Sequence, residues 1–304
     1  MIVSDGLSNL QALNETLLLE IVKAMALPQT SLFNSLTRAI FGGATLKFAE
    51  IVLRFDHEIG QNGTAAGAQW LLAHFVKGYK SQGVEIIPHD GPLLIVSNHP
   101  ASYDGMVIAA CVPRNDLKII IGEIPPYRYL PHVCQHVIFS PPAKNTFGRT
   151  QTIRNAIRHL KSGGSLLIFP RGGIEPDPAF MPAPDAEFDH WSRSLEIFLR
   201  NEPETKVLVT AVSGVISERI FNHPFTWFRK SRPDRQRLAF MYQIILQTLS
   251  GKELFGLRPR VTFGELLAEE TTLLKIKDAV RRTLTKHLYL QVAQPAGQTK
   301  ITLL

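Results

Sequence analysis

From Leu10 to Leu27 the apolar residues Leu10, Leu13, Leu17, Ile21 and Ala24 recur at steps of three and four, and Pro28 follows. That spacing predicts an amphipathic helix with the proline as its stop signal. A second helical stretch is expected from about Ser31, interrupted at Gly42-Gly43. A third is expected from about Thr64 to Lys80, with Trp70, Leu71, His74 and Phe75 along it. Residues 1–82 therefore read as a helical N-terminal extension. It could cap a core or lie on a membrane, and amphipathicity does not separate the two. Packing against a core is the preferred reading.

After Gly83 the pattern changes. Short apolar runs at Val84–Ile87, Leu93–Val96, Leu117–Ile121, Val137–Phe139, Ser165–Phe169, Val207–Val212 and Arg260–Phe263 predict strands. Between them lie helical stripes, one carried by Ile153, Ala156, Ile157 and Leu160 and another running from Trp191 to Arg200. Strand and helix alternate, which predicts an α/β fold with a central mixed β-sheet flanked by helices. Residues 83–290 form the expected catalytic domain, closed by a helix over Thr271–Leu290, and residues 291–304 form a polar tail.

The 304 residues are 45% hydrophobic and 19% charged, the balance of a folded globular chain. Lysine and arginine number 33 against 26 aspartates and glutamates, giving a formal charge of +7. Such an excess suits an anionic partner: a membrane surface, a phosphorylated substrate or nucleic acid. Cys111 and Cys134 lie in apolar surroundings without disulfide or zinc spacing, so neither a disulfide framework nor a metal site is expected, and a reducing compartment is. No secretory signal and no apolar run of bilayer length is evident. Action on lipid would then take place from the membrane surface.

Candidate chemistry concentrates in Ser97-Asn98-His99-Pro100-Ala101-Ser102-Tyr103-Asp104-Gly105, where a buried strand ends. In a continuous helix His99 and Asp104 would stand roughly 140° apart around the axis, so their side chains need a turn between them to meet. Pro100 supplies a helix-starting turn, which predicts Asp104 in the first helical turn and Ser102 as a helix-start hydroxyl. Asp104 could then accept from one imidazole N–H and leave the other nitrogen as a base near neutral pH. Taken alone, the spacing is better explained by a histidine capping a turn. A second segment, Gly163-Gly164-Ser165-Leu166-Leu167-Ile168-Phe169-Pro170-Arg171-Gly172-Gly173, runs a strand into a glycine turn whose freed N–H groups could face the crevice at the sheet's carboxyl edge.

Together these blocks resemble the glycerolipid acyltransferase superfamily, which includes lysophosphatidate and glycerol-3-phosphate acyltransferases. The Ser-Asn-His-x4-Asp and Phe-Pro-x-Gly blocks carry the likeness, joined by Val207–Gly214 and by the late strand Arg260–Glu265, in order between Gly83 and Leu290. The resemblance implies a His99/Asp104 dyad and direct acyl transfer from acyl-CoA or acyl carrier protein to a lipid hydroxyl, as in phospholipid biosynthesis. It implies no bound cofactor and no metal. No Gly-x-Ser-x-Gly elbow of a serine hydrolase occurs.

Two departures stand out. Arg171 replaces the usual glutamate after Phe-Pro, with Glu175 displaced downstream, and the second block ends in Ser140-Pro141-Pro142 where the family has an arginine for an acceptor phosphate. Lys144 and Arg149 could substitute for it. Arg171 could bind phosphate or be neutralised by Glu175 or Asp177. The backbone N–H groups of Gly172 and Gly173 are candidate oxyanion donors.

The segment from Glu175 to His190 holds several prolines and carboxylates and reads as a pocket wall or a surface loop. Between Phe221 and Arg237, aromatics alternate with basic residues, and Trp227, Phe228, Arg229 and Lys230 are expected to meet an anionic membrane on the cytoplasmic side. The alternatives are a non-phosphoglycerol acceptor, an inactive lipid-binding relative, and, least favoured, a nucleic-acid-binding module.

Overall fold

The computed structural model describes residues 2–181, 184–268, 270–293 and 301–302. Two long helices come first, α1 (Ile2–Ala24) and α2 (Ser31–Leu72). Pro28 follows α1 as expected, but the break in α2 falls at Gly63 and not at Gly42-Gly43. Gly63 takes φ +84°, while Gly42 and Gly43 stay helical. The chain doubles back so tightly that a Cβ on Gly67 would stand 2.5 Å from the Ile59 side chain. Glycine is needed where backbone meets backbone, and paired glycines in a straight helix cost only about 1 kcal/mol each. The preferred packing of this extension holds: Leu13, Ala49, Phe55 and Ile59 share a buried cluster with Leu130 and Val133 of the α/β body.

The sheet is eight-stranded in the order β4-β3-β5-β2-β6-β7-β1-β8. Its strands are β1 (Tyr79–Gln82), β2 (Leu93–Ser97), β3 (Lys118–Gly122), β4 (Val137–Ser140), β5 (Ser165–Ile168), β6 (Lys206–Ser213), β7 (Arg260–Leu267) and β8 (Ile301–Thr302). Strands β2 to β6 are mutually parallel, β7 is antiparallel to β6, and β1 runs parallel to β7. The mixed sheet is as expected, with one displacement at its start. The run Val84–Ile86 is a 3-10 turn, and the strand lies just before it, where a helix to Lys80 was expected. Gly83 (φ +76°) explains the offset, since a Cβ there would sit 2.1 Å from the Phe263 carbonyl oxygen. The chain must leave β7 at that point and turn.

Strand β2 is buried along its whole length because helices cover both faces of the sheet, as continuous apolar runs in parallel strands require. Leu93 and Ile95 pack on one side with α2, α3 (Asp104–Ala109) and α8 (Arg232–Ser250). Leu94 and Val96 pack on the other with α5 (Thr146–Lys161), α6 (Ser194–Asn201) and α9 (Leu273–Ala293). Truncating such a side chain, as in Leu94→Ala, would cost about 2–5 kcal/mol. Two short helices, α4 (Pro131–Gln135) and α7 (Glu218–Phe221), complete the body. Of the expected polar tail, residues 294–300 and 303–304 lie outside the described residues, and Ile301–Thr302 pairs with β1. Among the described residues no helix is long and apolar enough to cross a membrane.

Candidate active site

Strands β2 to β6 all end at one edge of the sheet, and His99 emerges there from β2, between its neighbours β5 and β6. Asn98 fixes the exit: its side-chain amide donates to Val212 O (2.9 Å) and accepts from Val212 N (2.8 Å), continuing the ladder to β6 beyond the last backbone pair. The turn over residues 99–103 then delivers Asp104 as the first residue of α3. Ser102 is exposed and does not cap this helix; Tyr103 is the N-cap residue and makes no side-chain cap bond. Asp104 itself accepts from the turn, at Ala101 N (3.1 Å) and Gly105 N (2.7 Å).

His99 Nδ1 lies 2.8 Å from Asp104 Oδ2. The ring stacks on Phe169 of the β5 turn, with centroids 4.5 Å apart. Its side chain is 24% exposed against 1% for Asp104, and no protein group among the described residues bonds to Nε2. Burial pulls the imidazole toward its neutral form, but the Asp104 charge and hydrogen bond, with Glu175 behind them, outweigh it, and the His99 pKa rises. A carboxylate at this distance suits a proton on Nδ1, which leaves Nε2 as the ring nitrogen without a protein partner among the described residues.

Glu175 proves to be a buried brace. Its Oε2 accepts from His99 N (2.7 Å), Glu175 N donates to His99 O (2.8 Å), and Oε1 accepts from the Trp191 indole (2.9 Å). Burial pushes its carboxyl up to about 7. Asp177 is likewise buried, raised to about 6 by the same cause, and accepts from Gly214 N and Val215 N at the end of β6. The start of the Glu175–His190 segment is therefore a buried strut tying the His99 turn to the β6 loop. A column of glutamines on α8 extends that strut: Gln236 Nε2 donates to Pro100 O (2.6 Å) and Glu175 O (2.7 Å), while Gln243 holds Ser217 N and Val215 O. Gln236 and Gln243 stand seven residues apart on one helical stripe, and the polar character of that stripe was the available signal.

The remaining candidates divide. Arg171 Nε pairs with Glu187 Oε2 at 2.6 Å, a carboxylate other than the two considered, and Arg232 holds the other oxygen of the same group. Gly172 N donates to Phe169 O (3.0 Å), so this N–H closes the turn and does not face a ligand. Gly173 lies under the Arg171 guanidinium. Lys144 and Arg149 are exposed around the start of α5. Trp227 and Phe228 are 62% and 51% exposed, Lys230 is exposed, and Arg229 pairs with Asp234. No group of side chains suited to a metal ion occurs among the described residues.

The model of the Acyltransferase family matches residues 78–189, a segment that contains His99, Asp104, Arg171 and Glu175. The match supports the family resemblance carried by the His99 and Phe169 blocks. Among solved structures, the crystal structure of the 1-acyl-sn-glycerophosphate (LPA) acyltransferase, PlsC, from Thermotoga maritima is similar, with a TM-score of 0.45, 16% identity and coverage of 83% of each chain. No curated protein sequence matches the chain.

Proposed function

We propose that this chain, whose residues 78–189 match the acyltransferase family, moves a fatty acyl group from a thioester to a lipid hydroxyl with His99 as general base. The carrying observation is the His99–Asp104 bond at the end of β2, with Nε2 open beside the Phe169 turn. In the proposed step His99 Nε2 takes the acceptor's hydroxyl proton while the oxygen adds to the thioester carbonyl. The C–S bond then breaks, and the departing thiolate takes the proton back from Nε2. No acyl-enzyme is formed, and Gly173 N–H is the remaining backbone donor for the oxyanion.

The acceptor is a lysophospholipid-like molecule reached from the cytoplasmic membrane face, as in phospholipid biosynthesis. Exposed Trp227 and Phe228, and the ladder Leu32, Leu36 and Ile40 on α2, support surface attachment. Arg171 and Arg232 place two guanidiniums around the single carboxylate of Glu187, which leaves net positive charge at the β5 turn for an acceptor phosphate.

The test is transfer of a radiolabelled acyl group from acyl-CoA, by purified protein on vesicles, to paired acceptors with and without phosphate. Product formation is expected with both, and Arg171→Met should raise KM for the phosphorylated one alone, by the roughly 1.5–3 kcal/mol of a charge-assisted contact. Equal losses on both acceptors would make Arg171 a turn-shaping residue. Absence of any acyl product would reject the activity.

A further inference from the structure

One face of α5 has no part in the site described above. At 100° per residue, Phe147, Arg154, Arg158 and Lys161 fall within about 60° of one another, in a stripe about 21 Å long. The helix contains no aspartate or glutamate. All four side chains are exposed, Phe147 at 73%. Arg158 reaches only Asn155 Oδ1 (3.4 Å), and among the described residues no carboxylate pairs with any of the three cations. This contrasts with the basic cluster near Trp227, where Arg229 and Arg237 bond Asp234, Arg232 bonds Glu187, and Arg235 lies over Phe221. Beside the α5 stripe, a groove lined by Lys118, Phe139, Gln151, Asn155, Arg158 and His159 follows the edge strand β4.

We infer that this stripe is the docking surface for an acidic acyl carrier protein, which presents its thioester to His99 on a prosthetic arm. The inference rests on the acyl-transfer reading and names its donor. Three cations with no carboxylate beside them among the described residues attract a partner rich in carboxylates, and the exposed phenyl ring supplies an apolar contact at the end of the stripe nearest the site. Helix α5 begins just after the end of β4, at the edge where His99 emerges. In the order β4-β3-β5-β2 that strand is three spacings from β2, about 14 Å, a span an extended arm can cross.

The layers favour a soluble partner over a lipid surface. The apolar ladder of α2 and the Trp227 segment adjoin the α8 layer, whereas α5 packs with α6 on the other face of the sheet. A membrane that takes up the first layer leaves the second toward water. The length of the stripe also exceeds what the phosphates of one free coenzyme would occupy.

The experiment compares wild type with the charge reversal Arg154→Glu/Arg158→Glu/Lys161→Glu, and with the neutral Arg154→Gln/Arg158→Gln/Lys161→Gln should the reversal fail to fold. An acylated acidic carrier protein is titrated into each by calorimetry without acceptor, and steady-state transfer is then measured from acyl-carrier and from acyl-CoA. We expect loss of carrier binding and a rise in KM for the acyl-carrier of about ten-fold or more. Transfer from acyl-CoA should change by less than about two-fold. Equal effects on both donors, absence of carrier binding by wild type, or loss of binding to phosphatidylglycerol vesicles with carrier binding intact would each overturn the surface. Carrier binding that the reversal abolishes, without turnover from either donor, would uphold the surface and reject the acyl-transfer reading instead.

Discussion

Two histidines lie near the same edge of the sheet, one after β2 and one against the end of the adjacent β6, and they differ in what each ring nitrogen meets. His99 has one nitrogen on a carboxylate and the other open. His287, on α9, is 2% exposed and has both nitrogens on hydroxyls, Nδ1 at 2.8 Å from Thr262 Oγ1 and Nε2 at 2.7 Å from Ser213 Oγ. Burial lowers the basicity of both rings. Asp104 reverses the effect at His99, whereas at His287 nothing does, and with the Arg260 charge adding to burial its pKa falls to about 4. Burial alone therefore does not make a histidine inert; the charge of its partner decides.

The largest expected effect exchanges activity against stability. His99→Ala should lower kcat/KM by about 10²–10⁴-fold, the usual worth of a general base, with a near-normal melting temperature. Turnover close to wild type in the folded variant would remove His99 from the mechanism. Next, Asp104→Asn gives His99 a neutral partner like those of His287. The imidazole then loses the negative charge that raised its pKa, so the acidic limb of the kcat/KM profile should move to lower pH as the rate falls. An unmoved limb would mean that another group titrates there.

His287 should show its role in stability against pH. Its folded pKa lies below the ordinary 6.5, so its contribution is fully present above that value and is lost as pH falls through about 4. The 6.5 to about 4 interval corresponds to a contribution on the order of 3 kcal/mol. Glu175 and Asp177, raised to about 7 and about 6, work in the opposite sense, with stability present at low pH and lost as pH rises through those values. They titrate alike in wild type and in His287→Gln. Denaturant midpoints at pH 7 and pH 5 should therefore converge between the two proteins as pH falls. Parallel curves would deny His287 any part in acid sensitivity.

The contrast also shows what could be read from the chain. His99 and Asp104 stand five residues apart, and a strand, a proline turn and a helix start bring them together locally, so the pair is legible. His287 depends on partners 25 and 74 residues away, and within an amphipathic helix it carries no mark of them. The parallel strands β2 to β6 were legible for the same reason as the dyad, since buried parallel strands write themselves as short apolar runs, whereas the short strands β1 and β8 at one end of the sheet carry no such run. The break at Gly63 was not, because it follows from a left-handed backbone there (φ +84°) beside Asn115, and from Gly67 returning against Ile59, neither of which is a local pattern. Glu175 was visible only as a displaced carboxylate; its work on the His99 main chain requires the turn at Pro170 and the indole of Trp191 to enclose it.

The smallest effect separates partner from burial at His287. Thr262→Val keeps the volume near the ring and leaves Nδ1 buried without its hydroxyl partner, for a loss of about 1–3 kcal/mol. Burial, the leading cause of the depressed pKa, stays in place, and so does the Arg260 charge that follows it. The stability of Thr262→Val should therefore run below wild type by a near-constant amount from pH 7 to pH 5, unlike the converging curves of His287→Gln, and acyl transfer should be unchanged. Chemical denaturation at several pH values measures both the offset and the slope. A slope altered as much as in His287→Gln would show that the hydroxyl, and not burial, sets the proton affinity of this ring. The two histidines would then differ only in which partner they hold, and the depth at which His287 lies would carry no weight in the comparison.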